Sequence, residues 1–375
     1  MALVATPMTW LRQHAWQGLL VFIPVAVGLA WLAPERHLAI FLASALAILP
    51  LAGYIGRATE QLADQLGSGI GGMLNATFGN AAELIIGALA LHEGLIDLVK
   101  ASITGSIISN LLLVFGAAAF AGGLRHPVQR FNRTAAGVGT TMMLLATIGL
   151  MVPAAFHLVA PEGLELRLDT EIAAVLFVTY CASLVFKLRT HRDLYGTGTT
   201  KAEPEADAEA GARPASGGGG RRMPPVVQLL IATALVAVVS ELLVGSVREA
   251  ARALGTSELF AGVIVVALAG NAAEHYSAVT LALADRMDAS IAIAVGSSAQ
   301  IAMFVAPVLV FLSYGLAPQP MDLLFTTFEL VAIGLAVPAM AFIAQDGETT
   351  WMEGLQLMAV YVILALGFFF LPAGS

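Results

Sequence analysis

The chain has 375 residues; 58% are hydrophobic, only 12% are charged, and the formal net charge is −8. Soluble domains carry about 25% charged residues, so this composition argues against a water-soluble globule, and the acidic balance with no basic tract gives no support for a nucleic-acid partner. The single cysteine, Cys181, excludes an intramolecular disulfide and any cysteine-built metal site.

Apolar runs of bilayer-spanning length recur along the chain. They predict M1 at 17–33, M2 at 37–58, M3 at 70–91, M4 at 96–122, M5 at 134–158 and M6 at 170–188. After a polar interval come M7 at 225–250, M8 at 258–284, M9 at 289–313, M10 at 321–344 and M11 at 350–371. Spans this long without strict alternation read as helices rather than barrel strands. M1 follows Arg12 but lacks a small-x-small cleavage site after it, so it reads as a retained helix. The expected fold is an all-α polytopic membrane protein of about eleven transmembrane helices. Residues 1–192 hold M1 and a first repeat, M2–M6, and residues 223–375 hold a second, M7–M11. Between them, 193–222 is rich in Gly, Ala, Pro and acid and reads as a disordered linker. With the N-terminus cytoplasmic, 13 of the 18 Lys and Arg residues fall on cytoplasmic segments. That bias favours this orientation, with the linker in the cytoplasm and the C-terminus outside. The expected location is a bacterial inner (plasma) membrane.

The strongest signal is internal. Gly79–Glu83 and Gly270–Glu274 both read GNAAE, and the blocks that follow stay in register: Asp97 with Asp288, Ala101 with Ala292, Gly105–Ser106 with Gly296–Ser297. Such agreement marks a duplication. The first copy lies in M3–M4 and the second in M8–M9. M3 runs outward and M8 inward, so the copies are inverted, as in many secondary transporters.

Glu83 and Glu274 each sit mid-span. A carboxylate at membrane depth is costly and normally faces a cavity. The pseudo-two-fold axis brings the two to opposite sides of one point. Two carboxylates with neutral oxygens around them suit a hard cation such as Ca²⁺, which takes roughly 6–8 oxygen ligands. Asn80 and Asn271 lie three residues before each acid, hence on the same helical face. On the partner helices, Ser106, Ser109 and Asn110 face Ser297, Ser298 and Gln300. The ungapped register pairs Ser109 with Gln300, and a one-residue shift pairs Asn110 with it; both stay open, as ligands or as groups behind the ligands. The small hydroxyl residues also fit plain helix packing. Burial and mutual repulsion favour protonated carboxyls in such a pair, and Ca²⁺ drives both to ionise. Protons and Ca²⁺ thereby become alternatives, and the consequence is exchange. Glu60, Glu241, Glu171, Glu329 and His275 are weaker candidates for relay or gating. No H-E-x-x-H and no G-x-x-x-x-G-K-[ST] motif occurs, so neither an intramembrane metalloprotease nor a nucleotide-driven pump is expected.

In these residues the chain resembles the calcium/proton exchanger family of the calcium/cation antiporter superfamily. The resemblance rests on GRATEQLA, LNATFGNAAELIIG, KASITGSIISNLLLVFG, VVSELLVG, FAGVIVVALAGNAAEH and IAVGSSAQIAMFVAPVLV. It implies that Glu83 and Glu274 bind Ca²⁺, helped by Asn80, Asn271, Ser297 and Gln300. It implies also that M1 and M6 move over a more rigid core. The sodium/calcium branch has an acid where this chain has Gln300, which favours protons as counter-ion. First-block members often carry Pro where this chain has Ala82. The expected partners are Ca²⁺ and H⁺ as transported ions and the lipid bilayer, with no nucleic acid and a homo-oligomer possible. No cofactor is expected, Ca²⁺ entering only as substrate.

Overall fold

A computed structural model describes residues 17–159, 164–191 and 223–372. The expected linker at 193–222 lies outside the described residues. The rest is almost wholly helical, because an apolar chain in lipid must satisfy its own backbone. In the first half α1 is Phe22–Leu32, α2 His37–Phe78 and α3 Ala81–His92. They are followed by α4 (Ile96–Gly123), α5 (Arg133–His157) and α6 (Glu165–Thr190). The second half has α7 (Pro225–Leu254), α8 (Glu258–Gly270), α9 (Ala272–Leu283) and α10 (Met287–Leu316). It closes with α11 (Thr327–Ile343) and α12 (Trp351–Phe370).

Seven of the described helices are long and apolar enough to cross a membrane, and the bent pair α8–α9 makes an eighth. Three shorter apolar helices, Leu19–Leu32, Ala81–His92 and Thr327–Ile343, fill the places of M1, M3 and M10. The protein is a multi-pass membrane protein with a helix for each expected span.

Three boundaries differ from expectation. No non-helical residue separates M2 from the start of M3, so their helices abut. Yet a Cβ on Gly71 would lie 2.5 Å from the Ala63 carbonyl oxygen, whereas eight residues along a straight helix rise about 12 Å. The chain therefore folds back between these residues, and only glycine fits at the return. M6 starts earlier, at Glu165, its first turns carrying an Arg167–Glu171 pair. M10 starts later, at Thr327, because Thr326 and Glu329 form a reciprocal capping box and Leu323 N–H donates to Asp169.

Contacts at the two ends bear on the topology. After α4, β1 (Gln129–Arg130) pairs antiparallel with β2 (Glu348–Thr349), which precedes α12. Gln129 Nε2 donates to the Ala282 carbonyl at the end of α9. At the other end, Lys100 at the start of α4 pairs with Asp322 and donates to Leu324 O, just before α11. Each pair of connections shares a side of the bundle, as eleven alternating crossings require.

The interior belongs to the repeat helices. In the most apolar window 83% of α4 and 67% of α10 is buried, against 17% of α6. The two halves meet through glycine. A Cβ on Gly105 of α4 would come within 2.0 Å of the Val263 carbonyl of α8, and one on Gly262 within 2.6 Å of Ala101. Small residues let helix backbones approach this closely in membranes. Gly296, the repeat counterpart of Gly105, has nothing within 4 Å of its missing Cβ. Gly105→Ala should therefore destabilise the detergent-solubilised protein by about 1–3 kcal/mol, the cost of overpacking, while Gly296→Ala should leave its melting temperature unchanged. Equal effects in a thermal melt would show that the two crossings are equally open.

Candidate ion-binding site

Both GNAAE blocks interrupt a helix at the same place. Asn80 (φ −105°, ψ 24°) and Asn271 (φ −89°, ψ 6°) sit at the breaks. Each is followed by a helix of 12 residues, with the glutamate third in it. The break between α8 and α9 bends the chain by 61°. The first break forms although residue 82 is alanine. Glu83 and Glu274 thus stand in the first turn of a short helix, whose N-terminal dipole favours negative charge. The interruption corrects the expectation that each asparagine shares a continuous helical face with its glutamate. The asparagine carbonyls still begin the new helices, accepting from Leu84 N and His275 N. Their side chains make no cap and turn toward the opposite repeat.

That turn creates a reciprocal network. Asn80 Nδ2 donates to Gln300 Oε1 of α10 at 2.6 Å. Asn271 Nδ2 donates to Ser106 Oγ of α4 at 2.8 Å and to Ala267 O at 2.9 Å. Asn110 Nδ2 in turn donates to Asn271 Oδ1 at 3.3 Å and to Ser297 Oγ at 3.2 Å. Each repeat's asparagine is met by an amide-bearing residue of the other, so Asn110 is the counterpart of Gln300. The one-residue shift has a local cause. Both α4 and α10 contain a π-helical segment, Ser109–Val114 in one and Ile301–Val305 in the other. Aligned without a gap, the first starts one residue earlier than the second, and such bulges re-aim side chains. Ser109 and Ser298 spend their hydroxyls on Ser106 O and Ala294 O of their own helices, in keeping with packing.

The carboxylates occupy the centre of this arrangement. Glu83 is buried, and its carboxylate lies against the Cα of Gly270; a Cβ there would be 2.9 Å from Oε1. Glu274 is half-buried, within electrostatic reach of Glu83 and facing the Ser297 hydroxyl. Glu83 Oε2, Glu274 Oε2 and Asn110 Oδ1 are buried with no hydrogen-bond donor. Among the described residues, none of the ion pairs involves either glutamate. Buried carboxylate oxygens with no counter-charge among the described residues are costly unless a cation or protons neutralise them. The surrounding oxygens come from amides, hydroxyls and carboxylates, a hard set suited to Ca²⁺ rather than to a softer metal.

The weaker candidates disperse. Glu329 serves its capping box and accepts from Thr104 at 3.0 Å. Glu171 pairs with Arg167, and Glu60 is exposed. Glu241 lines a separate cleft of about 420 Å³ together with His37, His92 and Glu93. His275 Nε2 is buried without a partner. One group carried no signal in the sequence: Tyr180 of α6, a buried aromatic in an apolar helix, whose hydroxyl faces Gln300.

Comparison with known proteins places this geometry. The sodium/calcium exchanger protein family matches residues 36–189 and 225–370, leaving out the interval between the halves. A Ca(2+)/H(+) antiporter of Synechocystis sp. is 45% identical over 361 residues, 94% of this chain and 96% of that protein. The Ca(2+)/H(+) antiporter ChaA of Bacillus subtilis is 45% identical over 326 residues, 86% of this chain and 90% of its own. The solved structure of native YfkE superposes with a TM-score of 0.80 at 39% identity, covering 95% of this chain and 100% of that one.

The contact between Gly270 and Glu83 is open to a direct test. Gly270→Ala should fold, since the far end of a flexible carboxylate can shift, with its melting temperature within about 4 °C of the parent protein. Displacing that carboxylate oxygen should weaken Ca²⁺ binding about tenfold or more, a cost of about 1.4 kcal/mol. Unchanged affinity in a calorimetric titration would place Glu83 outside the ion site.

Proposed function

The chain belongs to the sodium/calcium exchanger protein family, and on that premise we propose that it is a secondary Ca²⁺/H⁺ antiporter, expelling cytosolic Ca²⁺ against external protons by alternating access. Membership makes it a transporter and not an enzyme. The observation that carries the ion assignment is the pair Glu83 and Glu274, held at equivalent helix breaks with no cationic partner among the described residues. In the proposed cycle both carboxylates bind the same Ca²⁺ ion, and both are the proton carriers on the return. Asn80, Asn271, Ser106, Asn110, Ser297 and Gln300 supply or brace the remaining oxygens. Their hydrogen bonds support this reading, because each repeat's break is tied to the other repeat's partner helix. A cation that pulls on one glutamate thus pulls on both halves.

The coupling follows from charge. Ca²⁺ requires ionised carboxylates, and protons abolish the charge that holds it, so the ions displace one another. Proton rather than sodium as counter-ion is supported by the antiporter names of the relatives and by the neutral Gln300 in the second repeat. A cytoplasmic N-terminus in an inner membrane accords with the Lys and Arg distribution.

Reconstitution tests the proposal. Vesicles with an imposed pH gradient should accumulate Ca²⁺, and a sodium gradient of equal size should not drive uptake; the reverse would assign a sodium-coupled exchanger. Glu83→Gln and Glu274→Gln should each lower uptake at least about 100-fold, since losing one charge from a desolvated site costs about 3 kcal/mol or more. Near-normal uptake by either variant would remove that residue from the site. Adding Ca²⁺ to the purified protein in weak buffer at neutral pH should release protons. A silent pH electrode beside a normal binding isotherm would uncouple the two ions.

A further inference from the structure

Tyr180 lies at the middle of α6 and is 3% exposed, yet its hydroxyl has no hydrogen-bond partner of good geometry. An unpaired buried hydroxyl is costly and calls for an explanation. Its ring packs on Phe304 at 5.5 Å between centroids, and Phe177, one turn earlier, stacks on the same ring at 6.1 Å. Phe304 belongs to the π-helical segment Ile301–Val305, which begins directly after Gln300. The Tyr180 hydroxyl faces the Gln300 side chain. It is therefore a polar group delivered by a peripheral helix to the back of a side chain whose oxygen already accepts from Asn80.

An amide side chain is ambiguous: rotation by a half-turn exchanges oxygen for NH₂. Only the oxygen is useful to a cation. With Gln300 Oε1 engaged by Asn80, Gln300 Nε2 remains a donor, and the phenol oxygen is an acceptor. We propose that Tyr180 is a positioning residue, accepting from Gln300 Nε2 so that the amide oxygen stays turned toward Asn80 and the glutamates. The inference rests on the proposed place of Gln300 beside the transported ion.

Tyr180→Phe keeps the ring on Phe304 and removes only the hydroxyl. Ca²⁺ uptake into vesicles should show a KM raised about 3- to 10-fold, as expected for one neutral hydrogen bond. The maximal rate should stay within about twofold and the melting temperature should be unchanged, which separates positioning from support of the fold. Gln300→Ala alone should raise KM, and adding Tyr180→Phe to it should change nothing further. A parental KM in Tyr180→Phe overturns the proposal, as does an undiminished effect of Tyr180→Phe in the Gln300→Ala background. A parental KM in Gln300→Ala overturns it together with the role of Gln300. Failure of the antiport reading has a different signature: uptake that survives Glu83→Gln and Glu274→Gln.

Discussion

Two carboxylates at membrane depth, paired with no cationic side chain of the described residues, set the terms for the rest of the molecule. Bare, they would cost several kcal/mol each, and the ion pairs of the described residues all lie elsewhere, as with Lys100–Asp322 and Arg130–Glu348 near connecting segments. The broken helices follow from the same requirement. A continuous helix spends its backbone polar groups on itself. An interruption at Gly–Asn allows each glutamate to start a new helix and each asparagine to reach across to the other repeat. The π-helical segments in α4 and α10 complete the arrangement by aiming Asn110 and Gln300 at those asparagines.

Pseudo-symmetry holds at the site and lapses around it. Gly105 is pressed against the Val263 carbonyl, while Gly296 meets nothing. Lys100, itself buried, pairs with the partly exposed Asp322, where the ungapped repeat alignment has Ile291 in place of the lysine. Glu83 is buried and Glu274 half-buried. The equivalent residues thus carry the same chemistry in both repeats within unequal surroundings.

Burial divides the helices by task. α4 and α10 carry the amides and hydroxyls and are enclosed, whereas α6 is mostly open to the surroundings. In its middle α6 buries Ala173, Leu176 and Tyr180, and Phe177 and Tyr180 pack on Phe304. Its Tyr180 hydroxyl faces the Gln300 side chain of α10.

Much of this was legible in the sequence, because the signals are local. Runs of apolar residues gave a helix for every expected span, and the repeated GNAAE located both acids. The inverted arrangement followed from counting crossings. What the sequence left open depends on residues far apart in the chain. The fold-back at Ala63–Gly71 and the late start of α11 are fixed by close contacts and a capping box that a hydropathy window does not register. The choice of Asn110 over Ser109 opposite Gln300 hinged on two π-helical segments offset by one residue, and Tyr180 resembled any other aromatic in an apolar helix. Sequence determined which side chains belong to the membrane interior, because hydrophobicity and charge are properties of each residue. Tertiary structure alone decided which oxygens meet, because a hydrogen bond requires two helices to bring their groups within about 3 Å in the correct orientation.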